Sequence, residues 1–439
     1  MTLNDSSVQS LRQIFPALRK ITNGQPAAFF DGPAGTQVPQ MVIDAIGNYL
    51  INHNANHAGL FETSVESDQM LATAHQAAAD LVGTNDPGSV SFGSNMTTLT
   101  FALSRAISQS WNPGDEIVLS RLEHDANFTP WTLAARDRGV TVKMIDVDPE
   151  DCTLRLEQYQ EKITERTRLV AVGCASNAVG TINPVKSICK MAKQVGAISF
   201  LDAVHYAPHA SMDVQDWDCD FLICSAYKFF GPHIGIMYGK RNLLESLEPY
   251  KLRTSPENIP GRWMTGTQNH ECIAGTLAAI EYLASIEERT SSQPSSKHGA
   301  PDSQADNVAP PNLGDSPQNR RRQKLEASLA AIRQYEQTLL RHLMEGLQRL
   351  PEIKVWGITT PERFDQRLPT ISITHPKHCP KAIAKQLAVE GIYVWHGNYY
   401  ALPLTESIGV EPDGMVRIGL CHYNTRGEVD RLLESLARL

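Results

Sequence analysis

The sequence predicts an α/β protein in which a large domain with a mostly parallel sheet precedes a smaller α+β domain. Between about residues 88 and 240, short β-branched runs alternate with stretches of helical period, which is typical of βαβ units. The strand-like runs of this seven-stranded type of sheet are SVSFG, EIVLS, VTVKMIDV, RLVAVGC, AISFLD, CDFLIC and IGIMYG. Only a turn separates the last two runs, so one antiparallel strand is expected there.

Differences in composition and in the pattern of apolar residues divide the chain into four parts. Residues 1–26 form an N-terminal arm, and its helix SVQSLRQIFPAL is expected to pack on the C-terminal region. Residues 27–289 form the large domain. Residues 290–322 are rich in Ser, Pro, Gln, Asn and Asp and poor in large apolar residues, which predicts a disordered insert between two helices. We interpret it as a tolerated surface insertion, with a functional tail as the alternative.

Residues 323–439 form the smaller domain. Its runs TISITH, IYVWHG and MVRIGL are predicted strands, and TRGEVDRLLESLARL is predicted to be the closing helix. That helix opens with a capping box of Thr425 and Glu428.

Composition excludes several classes of function. A net charge of −8 over 439 residues gives no electrostatic reason to expect nucleic acid. No secretory signal and no apolar run of about 20 residues is visible, so we expect neither export nor a membrane span. The eight cysteines are scattered without Cys-x-x-Cys pairs, which favours free thiols in a cytoplasmic protein over a metal site.

Polar side chains cluster where the predicted strands end. Ligands of open α/β sheets bind beyond the carboxyl ends of the strands. The residues at these ends are Ser94, Asn95, Met96, His124, Asn177, Asp202, His205, Ser225, Tyr227 and Lys228. Because parallel strands end at one edge, we expect these groups to converge.

Each of these residues also has a structural alternative. Ser94 could be an N-cap, and Asp202 could cap a turn. His124 could be an ordinary buried or surface histidine, and Lys228 could be solvated. Convergence of all of them on one edge favours a functional site.

The set fits pyridoxal 5′-phosphate (PLP). Lys228 offers the amine that forms a Schiff base with this cofactor. Asp202 offers a carboxylate that keeps the pyridine nitrogen protonated, so that the ring accepts electrons. His124 offers a flat ring for stacking.

The other groups suit the periphery of PLP. Ser94 and Asn95 lie at a predicted helix N-terminus, where hydroxyl and backbone N–H groups bind phosphate, and Ser225 adds a hydroxyl. His205 and Asn177 could hydrogen-bond either the ring hydroxyl or the substrate.

With these motifs, the sequence resembles fold-type I PLP enzymes of the class-V aminotransferase group, in particular the cysteine desulfurase and selenocysteine lyase branch. The motifs that carry the resemblance are FFDGPAGTQVP (29–39), LEHDANFTPW (122–131), SNAVGTINPV (176–185), LDAVHYAPH (201–209), SAYKFFGP (225–232), TGTQN (265–269) and VRIGLCHYNTRGEVDRL (416–432). They span nearly the whole chain outside the insert.

The resemblance implies roles for individual residues. Lys228 would bind PLP covalently, with Asp202 on the pyridine nitrogen and His124 stacked on the ring. The cofactor site would comprise Ser94, Asn95, Met96, His124, Asn177, Asp202, His205, Ser225, Tyr227, Lys228 and Thr267. Thr267 would reach the phosphate of a neighbouring subunit, which implies a homodimer with shared active sites.

The resemblance also implies that Asn177 and Arg417 hold the substrate carboxylate. The residue pattern supports Arg417 independently, because a guanidinium inside the apolar run MVRIGL needs a planar anionic partner. An internal salt bridge is the structural alternative. We expect WHGNYY and residues near NHNANHAGLFETS, including Tyr400 and His57, to line the substrate side-chain pocket and to suit a polar substrate.

Three positions depart from the desulfurase pattern. Tyr227 stands where desulfurases usually carry His, and His205 stands where they often carry Gln, as in kynureninase-type relatives. Tyr400, or Tyr399 under a one-residue slip, occupies the position of the loop cysteine that accepts sulfur.

These features predict an enzyme that acts on cysteine or a related β-substituted amino acid, with a C–S lyase outcome favoured over persulfide transfer. The alternatives are a class-V aminotransferase, an epimerase, a kynureninase-like hydrolase, or a PLP-fold scaffold without turnover.

Overall fold

The computed structural model describes residues 3–291 and 317–439. The strands in chain order are β1 (Ile21–Thr22), β2 (Gln25–Pro26), β3 (Ala28–Phe29), β4 (Val90–Gly93), β5 (Glu116–Ser120), β6 (Thr141–Ile145), β7 (Thr167–Gly173), β8 (Ile198–Asp202), β9 (Phe221–Ser225), β10 (Gly235–Gly239), β11 (Lys354–Trp356), β12 (Thr370–Thr374), β13 (Ile392–Tyr393), β14 (Trp395–Gly397) and β15 (Met415–Gly419).

The α-helices are α1 (Asp5–Arg12), α2 (Gln40–Asn48), α3 (Glu62–Val82), α4 (Met96–Ile107), α5 (Thr129–Arg138), α6 (Leu156–Lys162), α7 (Val185–Gln194), α8 (Val214–Trp217), α9 (Arg241–Ser246), α10 (His270–Ser291), α11 (Pro317–Leu347), α12 (Pro380–Val389), α13 (Leu402–Ser407) and α14 (Arg426–Leu436). As in many α/β folds, helices follow most strands of the large domain.

The large sheet has the order β4-β10-β9-β8-β7-β5-β6. All of its pairs are parallel except those that β10 makes with β9 and β4, which confirms the expected antiparallel strand. The other six strands therefore run in one direction and end at one edge. This edge carries the candidate site.

The small sheet has the order β11-β12-β15-β14. The run IYVWHG, expected as one strand, forms two, because Ile392–Tyr393 pairs in parallel with Ala28–Phe29 while Trp395–Gly397 pairs antiparallel with β15. Residues 28–29, assigned above to the large domain, therefore join the small domain. The capping box at Thr425 is present, as predicted.

The helix after the predicted insert begins earlier than expected. α11 begins at Pro317 and α10 extends to Ser291, so residues 317–322 and 290–291 are helical rather than part of the insert. Arg321 explains this extension, since its guanidinium forms ion pairs with Asp80 at 2.6 Å and with Glu281 at 2.8 Å. Residues 292–316, the rest of the predicted insert, lie outside the described residues.

The N-terminal arm packs on the C-terminal domain, as predicted, and also on α10. Arg12 of α1 forms an ion pair of 2.8 Å with Glu428 of α14. The Phe15 ring contacts Tyr282 and Tyr423 at centroid distances of 5.5 and 5.4 Å. Within the described residues, no helix has the length and apolar character needed to span a membrane.

Candidate active site

A cavity lies at the carboxyl edge of the large sheet. Its empty space amounts to about 590 Å³ when the part open to solvent is included. Its walls include the predicted residues Asn95, Met96, His124, Asn177, Asp202, His205, Ser225, Tyr227 and Lys228. The strand ends therefore converge as expected, and we call this space the inner cavity.

Lys228 ends a 3₁₀ turn that follows directly from β9. The N–H of Thr36 donates to the carbonyl of Tyr227 at 3.0 Å, and the N–H of Phe230 donates to the Thr36 hydroxyl at 2.7 Å, so two hydrogen bonds fix this turn. The amine donates to the carbonyl oxygen of Pro33. Burial and the nearby Arg417 lower the pKa of Lys228 to about 7, so much of the amine is uncharged near neutrality.

Asp202 is the last residue of β8, and its Oδ1 accepts a hydrogen bond of 2.8 Å from the Val204 N–H. Burial raises the pKa of Asp202 to about 6, against the effects of this hydrogen bond and of Lys228. Asp202 is therefore a carboxylate at neutral pH. It can partner a protonated ring nitrogen.

Glu123 is a second buried carboxyl group in the same cavity. Ser120 and Asn127 hydrogen-bond its two oxygens. Burial raises the pKa of Glu123 to about 8, and the charge of Asp202 adds to the rise. Burial thus raises the pKa of Glu123 further than that of Asp202, so that a proton bound by these neighbouring acids favours Glu123.

The N-terminus of α4 forms another wall. The Asn95 side chain is the N-cap and accepts the Thr98 N–H at 2.8 Å. The Met96 N–H donates to the Ser225 hydroxyl at 3.1 Å, which ties this helix to the end of β9. Ser94, expected either as the N-cap or as a phosphate ligand, is exposed and is not the N-cap.

His124 follows β5, and its Nδ1 accepts the Ala126 N–H at 3.0 Å. Burial and the charges of Lys228 and Arg417 lower the pKa of His124 to about 4, so the ring is neutral. The Tyr400 ring lies 5.6 Å from the His124 ring, centroid to centroid. The Tyr227 ring stacks on the His233 ring, and the two ring centroids are 4.9 Å apart.

Arg417 lies buried in β15. Its Nη1 donates to the Asn177 carbonyl at 2.9 Å, and its guanidinium lies 4.3 Å from the centre of the Tyr399 ring. Within the described residues no carboxylate lies within ion-pairing distance of Arg417, so the internal salt bridge is not formed there. Asn177 donates from Nδ2 to the Tyr399 carbonyl at 2.9 Å.

The buried polar atoms that lack a hydrogen-bond partner among the described residues include Asp31 Oδ1, Asn177 Oδ1, His205 Nδ1 and Arg417 Nε. Those of Asn177 and His205 belong to the wall of the inner cavity, whereas Asp31 and Arg417 do not line it. His205 uses its other nitrogen on the Thr370 hydroxyl at 3.0 Å. Buried polar groups are rarely left unpaired in a folded protein, so these atoms indicate a polar ligand.

Two predicted residues lie elsewhere. His57 lines a second cavity together with Gln268 and His270. Thr267 is exposed beside that cavity. Thr267 is predicted to serve the active site of a neighbouring subunit, so it need not line the inner cavity of its own chain. Its role, like the substrate-binding role of His57, stays a prediction.

Sequence reasoning missed three residues. Thr97 lines the cavity one residue after Met96. Glu123 precedes His124, and its only signal was an acid beside a predicted site residue. Asp31 is part of a quoted motif, and the Lys228 and Arg417 charges act on it; burial raises its pKa to about 6.

These residues fit PLP. Lys228 would supply the amine, Asp202 the carboxylate, His124 the neutral ring, and α4 its N-terminus, while the unpaired atoms would offer further hydrogen bonds to a polar ligand. The fold and the site together define a PLP-dependent enzyme of fold type I.

Comparison with known proteins identifies the family. The chain belongs to the Aminotransferase class-V family, which it matches over residues 28–300 and 324–432. Enzymes of this family use PLP.

Its relatives include a cysteine desulfurase from Salmonella dublin, 30% identical over 451 residues, and one from Pectobacterium carotovorum, 29% identical over 447 residues; each alignment covers 98% of both chains. The solved apo structure of a cysteine desulfurase from Thermococcus onnurineus NA1 superposes with a TM-score of 0.83 at 25% identity, covering 100% of this chain and 99% of the other.

Proposed function

We propose that this enzyme acts on cysteine or a related β-substituted amino acid and breaks its Cβ–S bond by elimination. The observation that carries the proposal is the meeting of Lys228, Asp202 and Arg417 around one continuous site. The relatives named as cysteine desulfurases support cysteine-type substrates. Bound PLP supplies an electron-accepting ring that stabilises negative charge at the substrate Cα.

Lys228 has two proposed roles. It binds the cofactor, and it then accepts a proton from the substrate. Its pKa of about 7 leaves the amine available as a nucleophile toward the cofactor carbonyl. When the substrate is bound, the same uncharged amine would accept the proton from Cα. The turn fixed by Thr36 keeps the nitrogen beside the reacting carbon.

Asp202, His124 and the α4 N-terminus orient the cofactor. The Asp202 carboxylate would accept a hydrogen bond from a protonated pyridine nitrogen, and the neutral His124 ring would stack on the cofactor without adding positive charge. The α4 N-terminus, with Ser225, suits the phosphate.

Arg417 orients the substrate. Its unpaired Nε and its position at the cavity wall suit a bidentate contact with the α-carboxylate. Asn177 and the Tyr399 ring hold the guanidinium in place.

The proposed outcome is release of sulfide rather than transfer to a thiol of this chain. All eight cysteines lie in the described part of the chain, and none of them lines the inner cavity or the space next to it. For cysteine, elimination and hydrolysis consume one water and give pyruvate, ammonia and sulfide.

An amino-acid panel tests this function. The holoenzyme is incubated with L-cysteine, L-cystine, L-aspartate, L-kynurenine and L-alanine, and sulfide, pyruvate, alanine and keto acids are quantified. Sulfide and pyruvate from the sulfur amino acids are expected. Transamination or racemisation without turnover of any sulfur substrate would contradict the proposal, and absence of every reaction would favour a scaffold.

We also propose a homodimer with shared sites. Large apolar side chains are exposed in the chain segments close in sequence to His57 and Thr254, which line the second cavity; they are Leu50, Ile51, Leu60, Phe61, Tyr250 and Leu252. Such a surface is typical of an interface. Light scattering should give twice the monomer mass. Mixing Thr267→Ala and Lys228→Ala proteins should rebuild one intact site, and a monomer, or a mixture without recovered PLP affinity, would contradict the proposal.

We further propose a cytoplasmic location. The eight thiols are free, six of them buried, and free thiols are typical of reducing compartments. Cell fractionation with an antibody to the chain should place it in the cytoplasmic fraction, and recovery outside that fraction would contradict the proposal.

A further inference from the structure

A larger space adjoins the inner cavity on the side of the small domain. It encloses about 1740 Å³, including the part open to solvent, and we call it the outer cavity. The two cavities share Pro33, Thr97, His124, Ala126, Asn177, Tyr227 and Lys228, so they are continuous. Arg417 lines only the outer cavity.

Aromatic rings dominate the far walls of the outer cavity. They come from Phe101, Trp395, Tyr399 and Tyr400. Trp395 is 51% exposed and Tyr400 is 71% exposed, although such large rings are usually covered. The charged groups among the described lining residues are Lys228, Arg417 and Asp125.

This aromatic wall is held at an energetic cost. Tyr399 and Tyr400 both have a φ of 58°, in the left-handed region that bulky residues rarely adopt. The Asp125 N–H donates to the Tyr400 carbonyl at 2.6 Å, and the Tyr399 hydroxyl donates to the Met415 carbonyl. Strained backbone persists where the surroundings fix it, and it concentrates at functional sites.

We propose that the preferred substrate is an S-substituted cysteine whose substituent is an aromatic or other flat apolar group. The proposal rests on the elimination reaction proposed above. A carboxylate on Arg417 and an amino group near Lys228 place Cα between the two cavities, so the β-substituent extends along the aromatic wall. The thiol of cysteine would leave that wall uncovered, whereas a ring can stack on it. The proposed substituent on the substrate sulfur is therefore apolar, in contrast to the polar substrate expected from the sequence.

The reaction balances without an oxidant. Lys228 takes the Cα proton, the Cβ–S bond breaks, and its electron pair leaves with sulfur as a thiolate. The released 2-aminoacrylate becomes the imine and takes up water, which gives pyruvate and ammonia. The net products from one water and one substrate are therefore a thiol, pyruvate and ammonia.

S-Benzyl-L-cysteine and S-ethyl-L-cysteine test the proposal, because both leave as alkyl thiolates and differ chiefly in the ring. Pyruvate release should give a kcat/KM for the benzyl compound that is about 10-fold or more above that for the ethyl compound, the scale of discrimination by an apolar pocket. Trp395→Ala and Tyr400→Ala should lower this ratio several-fold. Trp395→Phe, which keeps a ring, should restore most of it.

A matched control replaces an exposed apolar side chain outside both cavities. Val389 is 60% exposed, and Val389→Ala should leave the ratio unchanged. Equal kcat/KM values for the two substrates, or a ratio insensitive to Trp395→Ala in protein that still binds PLP, would overturn the proposal. Turnover of L-cysteine but of neither S-substituted compound would overturn it and leave the elimination reaction standing. Turnover of none of the three would overturn both.

Discussion

The inner and outer cavities are built by different means. The inner cavity is formed where parallel strands of the large sheet end, together with the N-terminus of α4. The outer cavity is closed by a loop of the small domain that contains two consecutive tyrosines with left-handed backbone. Asp202 therefore ends a strand of the large sheet and Lys228 lies in the turn that follows one. Of the aromatic residues proposed to contact the substrate side chain, Tyr399 and Tyr400 lie on the strained loop. Substitutions in the outer cavity can therefore change substrate specificity in this fold without changing the residues of the inner cavity.

The largest effect is expected at the inner cavity. Lys228→Ala removes both the nucleophile and the base, and should lower kcat for pyruvate formation by about 10⁴-fold. Lys186→Ala, a surface lysine paired with Asp216, is the matched control and should retain wild-type kcat. Substantial turnover by the Lys228 variant would place the base elsewhere.

The next largest effect is expected at Arg417, which lines the outer cavity but not the inner one. Arg417→Lys keeps the charge but loses the planar fork, so kcat/KM should fall by about 10- to 100-fold, chiefly through KM. Arg438→Lys, at an exposed ion pair with Glu390, should leave both constants unchanged. An unchanged KM in the Arg417 variant would mean that the carboxylate binds another group.

A pH effect tests the buried acid pair of the inner cavity. Because burial raises the pKa of Glu123 to about 8, the folded chain retains a proton that the unfolded chain loses near pH 4.5. Glu123 therefore makes stability fall as pH rises from about 4.5 to 8. Glu123→Gln mimics the neutral acid, so its melting temperature should fall less over this range.

Glu123→Ala provides the contrast for that experiment. It also lacks the titrating group, so its pH dependence should match that of Glu123→Gln. Because it leaves the Ser120 and Asn127 groups without their buried partner, it should be less stable than Glu123→Gln by about 1–3 kcal/mol at every pH. If Glu123→Gln and wild type show parallel pH profiles, Glu123 is ionised in the folded protein.

The smallest effect concerns the strained loop. Asparagine tolerates left-handed backbone better than tyrosine, so Tyr400→Asn should stabilise the holoenzyme by up to about 1 kcal/mol, seen as a slightly higher midpoint in denaturant. The same variant should lose preference for S-benzyl-L-cysteine. Lower stability would show that contacts of the Tyr400 ring outweigh the backbone strain.

The sequence predicted the inner cavity better than the outer one for a physical reason. Asp202 ends an apolar run, and Lys228 lies shortly after another. The ends of parallel strands meet at one edge of the sheet, independently of the loops that connect them. Asp31 and Glu123 escaped notice because their importance comes from burial beside other charges, which only tertiary packing creates.

Long-range pairing explains the remaining differences. IYVWHG divides into two strands because Ala28 and Phe29, more than 360 residues earlier, pair with its first half. The backbone of Tyr399 and Tyr400 was not predictable either, since tyrosine disfavours the left-handed region. The placement of His57 in the second cavity likewise depends on packing rather than on local sequence.

The stoichiometry of cysteine turnover tests the central claim most directly. Holoenzyme is given L-cysteine without added thiol, and sulfide, pyruvate and alanine are measured against cysteine consumed. The account predicts one sulfide and one pyruvate per cysteine, no alanine, and no product with Lys228→Ala. Alanine formed together with protein-bound persulfide would contradict it.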